Sequence, residues 1–122
     1  MWIENSTDNT YVLCTPVDQE PELQRELKII NGIVAGRNDC YVIISLADIE
    51  ILTSSSISRL LKLHNSLSES GRMLILCKVG LPVKGIFRIA GFGSVFNFAD
   101  DTLAAQTLIQ ETKHAEIQTT GC

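Results

Sequence analysis

The sequence predicts an α/β fold, in which strands alternate with helices along the chain. Residues 40–46 and 73–77 are almost continuously apolar, which is typical of central strands covered on both faces. The segments between such runs carry apolar residues at spacings of three and four, the period of an amphipathic helix. Because strands that alternate with helices need crossover connections, we predict a mixed sheet of four to five strands, with about four helices packed chiefly on one face.

The first third of the chain predicts a hairpin followed by a helix. Residues 11–15 form a β-rich run, and the polar residues 5–9 are expected to turn the chain back from a strand at residues 1–4. Pro21 suits the first turn of a helix that ends near Gly36. The apolar stripe of this helix consists of Leu23, Leu27, Ile30 and Val34.

A second helix is predicted from a cluster of helix-capping residues at 53–56, and it ends at Gly71. Its predicted inward face consists of Ile57, Leu60, Leu61, His64 and Leu67.

The last third of the chain is predicted to form a helix, a strand and a second helix, in that order. Pro82 opens the third helix and Gly91 closes it. A strand at residues 95–98 leads to a last helix, which Asp100 or Asp101 caps. The predicted inward residues are Val83, Ile86, Phe87 and Ala90 in the third helix, and Leu103, Ala104, Leu108 and Ile109 in the last.

Length, charge and hydropathy limit the possible classes of protein. The chain has 122 residues, so residues 1–122 are expected to form a single domain. A net charge of −4 provides no positive field for a nucleic-acid backbone. The first residues show no secretory signal pattern, and every apolar stretch is shorter than the roughly 20 residues that cross a bilayer. We therefore expect a soluble cytoplasmic protein without direct nucleic-acid binding or membrane insertion.

The sequence lacks the usual motifs for catalysis, metal binding and cofactor binding. It has no phosphate-binding glycine loop and no G-x-S-x-G elbow, and His64 and His114 stand apart from other metal ligands. Cys14, Cys40 and Cys77 fall in apolar runs, where a thiol behaves as a small buried hydrophobe. We therefore predict no enzyme activity, no metal and no cofactor.

Three adjacent serines, Ser54, Ser55 and Ser56, stand at the start of the second helix. Unpaired backbone N–H groups and the positive end of the helix dipole stabilise negative charge there, so a phosphoserine would be well placed. Serine is also a common N-cap, and composition alone favours capping over phosphorylation. Arg59 lies four residues after Ser55, where its side chain either pairs with a phosphate or is simply solvated.

Several blocks of the chain have the order and spacing of a known family. A buried strand and an acidic connector at residues 41–50 precede T-S-S-S-I-S-R-L-L at residues 53–61, which is similar to the motif D-S-S-G-L-G-x-L-L. Residues 82–92 are similar to a V-x-x-x-(L/F)-x-x-(S/T/A)-G-(L/F) helix, and residues 96–101 to the passage into a last helix. Over roughly residues 10–110, the chain thus resembles the STAS domains, in particular the anti-sigma factor antagonists of bacteria.

The resemblance implies a protein-binding switch without catalytic activity. In the antagonists, an anti-sigma factor serine kinase phosphorylates the second serine of the D-S-S-G segment, which corresponds to Ser55 here, with Ser54 and Ser56 as less favoured positions. The unphosphorylated antagonist binds this kinase and frees a sigma factor, whereas the phosphorylated form is released. The resemblance places partner binding at the start of the second helix, on Thr53, Ser54, Ser56 and Ser58, and the spacing from Ser55 adds Arg59.

Three positions depart from the family motif and leave two alternatives open. Thr53 replaces the aspartate, and Ser56 and Ser58 replace the two glycines, where their side chains would obstruct a kinase. One alternative is a cytoplasmic accessory subunit of a lipid or anion transporter. The other is a STAS domain that senses a ligand or acts as a scaffold without phosphorylation.

Overall fold

The computed structural model describes residues 2–5, 11–16, 19–35, 37, 39–47 and 49–120 of the chain. Strands and helices alternate after an initial hairpin, as the sequence predicts. In chain order the elements are β1 (Trp2–Asn5), β2 (Tyr11–Pro16), α1 (Glu20–Val34), β3 (Cys40–Ser45), α2 (Ser54–Glu69), β4 (Leu74–Cys77), α3 (Leu81–Ile89), β5 (Asn97–Ala99) and α4 (Thr102–Thr120).

The sheet has five strands in the order β1-β2-β3-β4-β5. β1 pairs with β2 in antiparallel orientation, and each later pair of neighbours is parallel. The predicted hairpin and the predicted mixed sheet are therefore confirmed. Parallel neighbours require crossover connections, and α1, α2 and α3 provide them.

The central strand β3 is buried on both faces, as predicted. Because side chains alternate along a strand, Val42 and Ile44 face one core while Tyr41 and Ile43 face the other. The larger core lies under α1, α2 and α3, and the smaller one lies under α4. Three of the four helices thus pack on one face of the sheet.

The stripe predicted for α1 is confirmed, because Leu23, Leu27 and Ile30 are fully buried and Val34 nearly so. The helix ends at Val34, and Gly36 lies outside the described residues.

The buried stripe of α2 contains the predicted Leu60 and Leu67 but differs from the predicted one at its other positions. It consists of Ser56, Leu60, Leu63 and Leu67. The predicted Ile57, Leu61 and His64 are only half-buried. Both sets have helical spacing, so the contacts with the sheet and with α1 decide which set faces inward.

The C-terminal part of the fold requires three corrections. Val95 belongs to a turn, in which its N–H donates to Phe92 O at 3.1 Å, so β5 begins two residues later than predicted. Ala90 is exposed at the C-cap of α3. Leu103 is 71% exposed while Ala105 is fully buried, because two residues along a helix turn the side chain about 200° around its axis.

Local signals at the helix ends behave as predicted. Gly71 and Gly91 adopt φ of +73° and +84°, the left-handed conformation in which glycine commonly ends a helix. Asp101 caps α4, since its Oδ1 accepts a hydrogen bond from Ala104 N at 2.7 Å.

Two described cysteines, Cys40 and Cys77, are buried free thiols, as predicted for small hydrophobes. Burial, assisted by a hydrogen bond from the thiol to Asp39, raises the pKa of Cys40. Arg37 donates to both carboxylate oxygens of Asp39 at 2.9 Å and holds the pKa of Asp39 at about 2, below its ordinary 3.8. This ion pair lies before β3, at the amino edge of the parallel strands.

Candidate functional site

The start of α2 lies at the carboxyl edge of the parallel strands. Ser45, Cys77 and Ala99, the last residues of β3, β4 and β5, stand in register, so these three strands end at one edge. The chain passes from this edge through residues 46–53 into α2. Ligands of open α/β sheets commonly bind outside the carboxyl ends of the strands, so this edge is a favoured position for a site.

Thr53 caps α2. Its backbone is extended, with φ −88° and ψ 163°, and its hydroxyl oxygen accepts a hydrogen bond from Ser56 N at 3.3 Å. Its carbonyl accepts from Ile57 N at 3.1 Å and starts the helical pattern. The amides of Ser54 and Ser55 belong to the first turn, where a helix provides no carbonyl acceptors. This helix end is therefore positive and suited to a neighbouring anion.

We expect Thr53→Ala to lower the free energy of unfolding by about 0.5–2 kcal/mol, because it removes the capping oxygen. Thr53→Ser keeps a hydroxyl and should leave stability nearly unchanged. Urea denaturation measures both variants. An unchanged midpoint in Thr53→Ala would show that the cap contributes nothing to stability.

The three adjacent serines occupy different environments. Ser54 and Ser55 are exposed, whereas Ser56 is fully buried in the inner stripe of α2 beside Leu60. Its burial removes Ser56 from the surface that a partner can contact, and it also means that the side chain does not obstruct a partner. Thr53 and Ser58 are exposed, so these two departures from the family motif remain on the surface.

An open groove of about 820 Å³ runs between α1 and α2. The predicted residues Ser54, Ser55, Ser58 and Arg59 line one side of it, together with Lys62 and Ser66, and α1 provides Lys28, Asn31 and Gly32, followed by Ala35. Asn31 Nδ2 approaches Arg59 O at 3.5 Å across the groove. The structure thus brings four of the predicted site residues together, while Thr53 caps the helix and Ser56 faces the core.

Sequence reasoning missed the basic residues Lys28 and Lys62. Lys62 could have been found, because it follows Ser55 and Arg59 at helical spacing. Lys28 could not, because it belongs to α1 and reaches the groove only through the packing of the two helices.

Exposed apolar side chains lie near the same edge of the sheet. Ile51, in the connection to α2, is 70% exposed, and Leu81, at the start of α3, is 83% exposed. Leu103, in the first turn of α4, is 71% exposed. Each of them follows the carboxyl end of a different strand. Large apolar side chains exposed at this edge of the sheet are suited to contact with another protein.

Other kinds of site find little support in the part of the chain that the structure describes. It contains no group of three or more His, Cys, Asp or Glu side chains that could hold a metal ion. His64 is half-buried, with its ring 5.6 Å from that of Phe96, and the side chain of His114 is not among those that the structure describes. None of the described helices is long and apolar enough to span a bilayer.

Comparison with known proteins identifies the class. The sequence model of the STAS domain family matches residues 6–113, and the chain belongs to this family. A comparison with curated protein sequences found no significant match.

Solved structures with a similar fold include anti-sigma factor antagonists and a transporter family protein. An anti-sigma-factor antagonist (STAS) domain protein from Planctomyces limnophilus has a TM-score of 0.70 at 17% identity, over 89% of this chain and 97% of that one. A sulfate transporter family protein from Wolinella succinogenes has a TM-score of 0.69 at 13% identity, over 90% and 97%. The unphosphorylated anti-sigma factor antagonist SpoIIAA has a TM-score of 0.56 at 15% identity, over 92% and 96%. At such identities the likeness shows the shared fold alone.

Proposed function

We propose that this chain is an anti-sigma factor antagonist, a single STAS domain over residues 1–122 that works as a phosphorylation-switched binding module. Unphosphorylated, it sequesters an anti-sigma factor serine kinase and so allows transcription that depends on the sigma factor. Phosphorylation of Ser55 releases the kinase. The observation that carries this proposal is the exposed Ser55 hydroxyl in the first turn of a capped helix, at the carboxyl edge of the sheet.

Exposure favours Ser55 and Ser54 over Ser56 as the phosphorylated residue. A kinase must bring the hydroxyl into its own active site, and the hydroxyl of Ser56 is buried against the core. Ser55 also stands four residues before Arg59 and lines the same groove, so a phosphate on Ser55 has a cation within reach. We therefore assign the modification to Ser55.

The helix end tolerates the phosphate. A negative group in the first turn gains roughly 0.3–1 kcal/mol from the helix dipole, so the modified chain stays folded. The surface changes instead, because phosphate adds about −1.5 to −2 charges where the partner docks. A partner that excludes water from Ser55 must then desolvate or repel this charge, and release follows.

The exposed apolar residues of the same edge support a protein partner. Ile51, Leu81 and Leu103 expose most of their surface in this chain, and contact with another protein would bury them. The site acts by binding rather than by catalysis, and the switch operates in the cytoplasm, where the kinase has ATP.

The second candidate is an accessory subunit of a lipid or anion transporter. It is favoured by the likeness to the sulfate transporter family protein, whose TM-score nearly equals that of the antagonist-domain protein. A transporter subunit would use the same edge for binding but would not need Ser55 phosphorylation.

Identification of the bound partner separates the candidates. The tagged chain is cross-linked and purified from cells that express it, and co-purified proteins are identified by mass spectrometry. We expect a soluble ATP-binding kinase, whereas a membrane transporter would support the second candidate. The chain is then incubated with the purified kinase and ATP, and the phosphate is mapped. Modification of Ser55 is expected. If neither Ser54 nor Ser55 is modified, the chain is a STAS domain that works without this switch.

A further inference from the structure

We propose that the groove between α1 and α2 binds an acidic peptide segment of the protein partner. The inference rests on the proposed function, because it assumes that a protein docks at Ser55, and it extends that function by assigning a second contact surface. The feature that carries it is a set of three basic side chains, Lys28, Arg59 and Lys62, on one groove whose lining contains no carboxylate.

The charge of the groove contrasts with that of the chain. The whole chain carries ten Lys and Arg against fourteen Asp and Glu, yet three of the ten line this groove without an acidic neighbour in its lining. The sole acidic residue of α2 is Glu69, in its last turn. Arg59 and Lys62 are three residues apart on this helix, a spacing at which like charges repel. A negative ligand would relieve this repulsion.

The shape of the groove suits an elongated ligand. Its α2 wall extends from Ser54 to Ser66, which corresponds to about 18 Å at the rise of an α-helix. No aromatic side chain lines the groove, so it offers no stacking surface for a nucleobase. The Asn31 amide and the Ser58 and Ser66 hydroxyls provide hydrogen-bonding groups along this length. An extended acidic peptide fits these features better than a compact ion or a nucleotide does.

The groove also begins at the proposed phosphorylation site. Ser54 and Ser55 line its end, so a partner that contacts Ser55 is already at the groove. A phosphate on Ser55 would bring negative charge beside Arg59 and repel an acidic segment bound there. Phosphorylation would thus weaken this contact and the direct contact at Ser55 together.

Charge reversal on the two exposed lysines tests the proposal. The probe is a short fluorescein-labelled peptide of alternating Glu and Gly, and its affinity is measured by fluorescence anisotropy at low ionic strength. We expect Lys28→Glu and Lys62→Glu each to weaken binding by about threefold to tenfold, since each replaces an attraction with a repulsion. The matched control is Lys84→Glu, an exposed lysine of α3 outside the groove, which should bind as the wild type does. In NMR spectra of the wild-type chain, addition of the peptide should change the amide chemical shifts along α1 and α2.

Several results would overturn the proposal. An equal loss in Lys84→Glu would mean that the peptide responds only to overall charge. If inorganic phosphate, added at the same concentration of negative charge, changes the same amide chemical shifts as the peptide does, the groove is a site for compact anions. Binding of phosphatidylglycerol vesicles that requires both lysines, without peptide binding, would indicate a membrane surface instead.

The test of peptide binding at the groove can fail independently of the test of Ser55 phosphorylation. Peptide binding is measured on the unmodified wild-type chain, because it depends on the basic residues of the groove and not on phosphorylation of Ser55. Intact peptide binding without kinase modification of Ser55 would contradict the proposed function alone. Modification of Ser55 without peptide binding would contradict the groove alone.

Discussion

Ser55→Asp is expected to weaken binding of the kinase partner by about 100-fold, or roughly 2.7 kcal/mol. The carboxylate places a negative charge in the first turn of α2, at the end of a groove that carries three basic side chains. Binding of the partner must then desolvate this carboxylate. The carboxylate also offsets the positive charge of the groove that the partner meets. Aspartate carries less charge than phosphate, so phosphorylation itself should have the larger effect. Isothermal titration calorimetry measures the loss.

Two variants control for this effect. Ser94→Asp adds the same charge at an exposed turn before β5, towards the opposite edge of the sheet, and should bind as the wild type does. Ser55→Ala should bind the kinase and resist modification. Because a negative charge at a helix start is favourable, Ser55→Asp should unfold at or above the wild-type urea midpoint. If Ser55→Asp binds as tightly as the wild type, charge on this residue does not control binding.

Phe87→Ala should lower the free energy of unfolding by about 3–5 kcal/mol. Phe87 is fully buried on α3, and its ring lies 5.2 Å from Phe96 and 5.9 Å from Phe98, between ring centroids. Phe96 in turn contacts His64 of α2, so this cluster joins α3, the turn before β5, β5 itself and α2. Truncation removes buried apolar surface and leaves a cavity at this junction.

Urea denaturation measures the loss in free energy of unfolding. The control is Ile89→Ala, which truncates a side chain on the same helix. Ile89 is 91% exposed, so its truncation should change stability by less than about 0.5 kcal/mol. Phe87→Leu keeps most of the apolar volume and provides a folded variant if Phe87→Ala does not fold. Equal stability of Phe87→Ala and Ile89→Ala would contradict the assigned packing of α3.

The larger elements and the caps could be predicted from the sequence, because they depend on neighbouring residues. The apolar runs of β3 and β4 and the four-three-four spacing in α1 indicate their structure without reference to the rest of the chain. Helix ends at Gly71 and Gly91 are equally local, since an αL residue closes a helix through its own backbone. The same local logic predicted a capped helix start at residues 53–56, and the resemblance to the STAS family pointed to it as the candidate site.

Only the tertiary structure decided which side chains this site presents. Ser55 and Ser56 are adjacent in the sequence and equally suited to phosphorylation by composition, yet packing of α2 against the core buries one and exposes the other. Packing likewise faces Ala105 rather than Leu103 inward, and it brings Lys28 of α1 to the groove beside Lys62 of α2. Helical periodicity defines a stripe only to within about one residue, or 100° of rotation, and contacts between distant segments select the face that is buried.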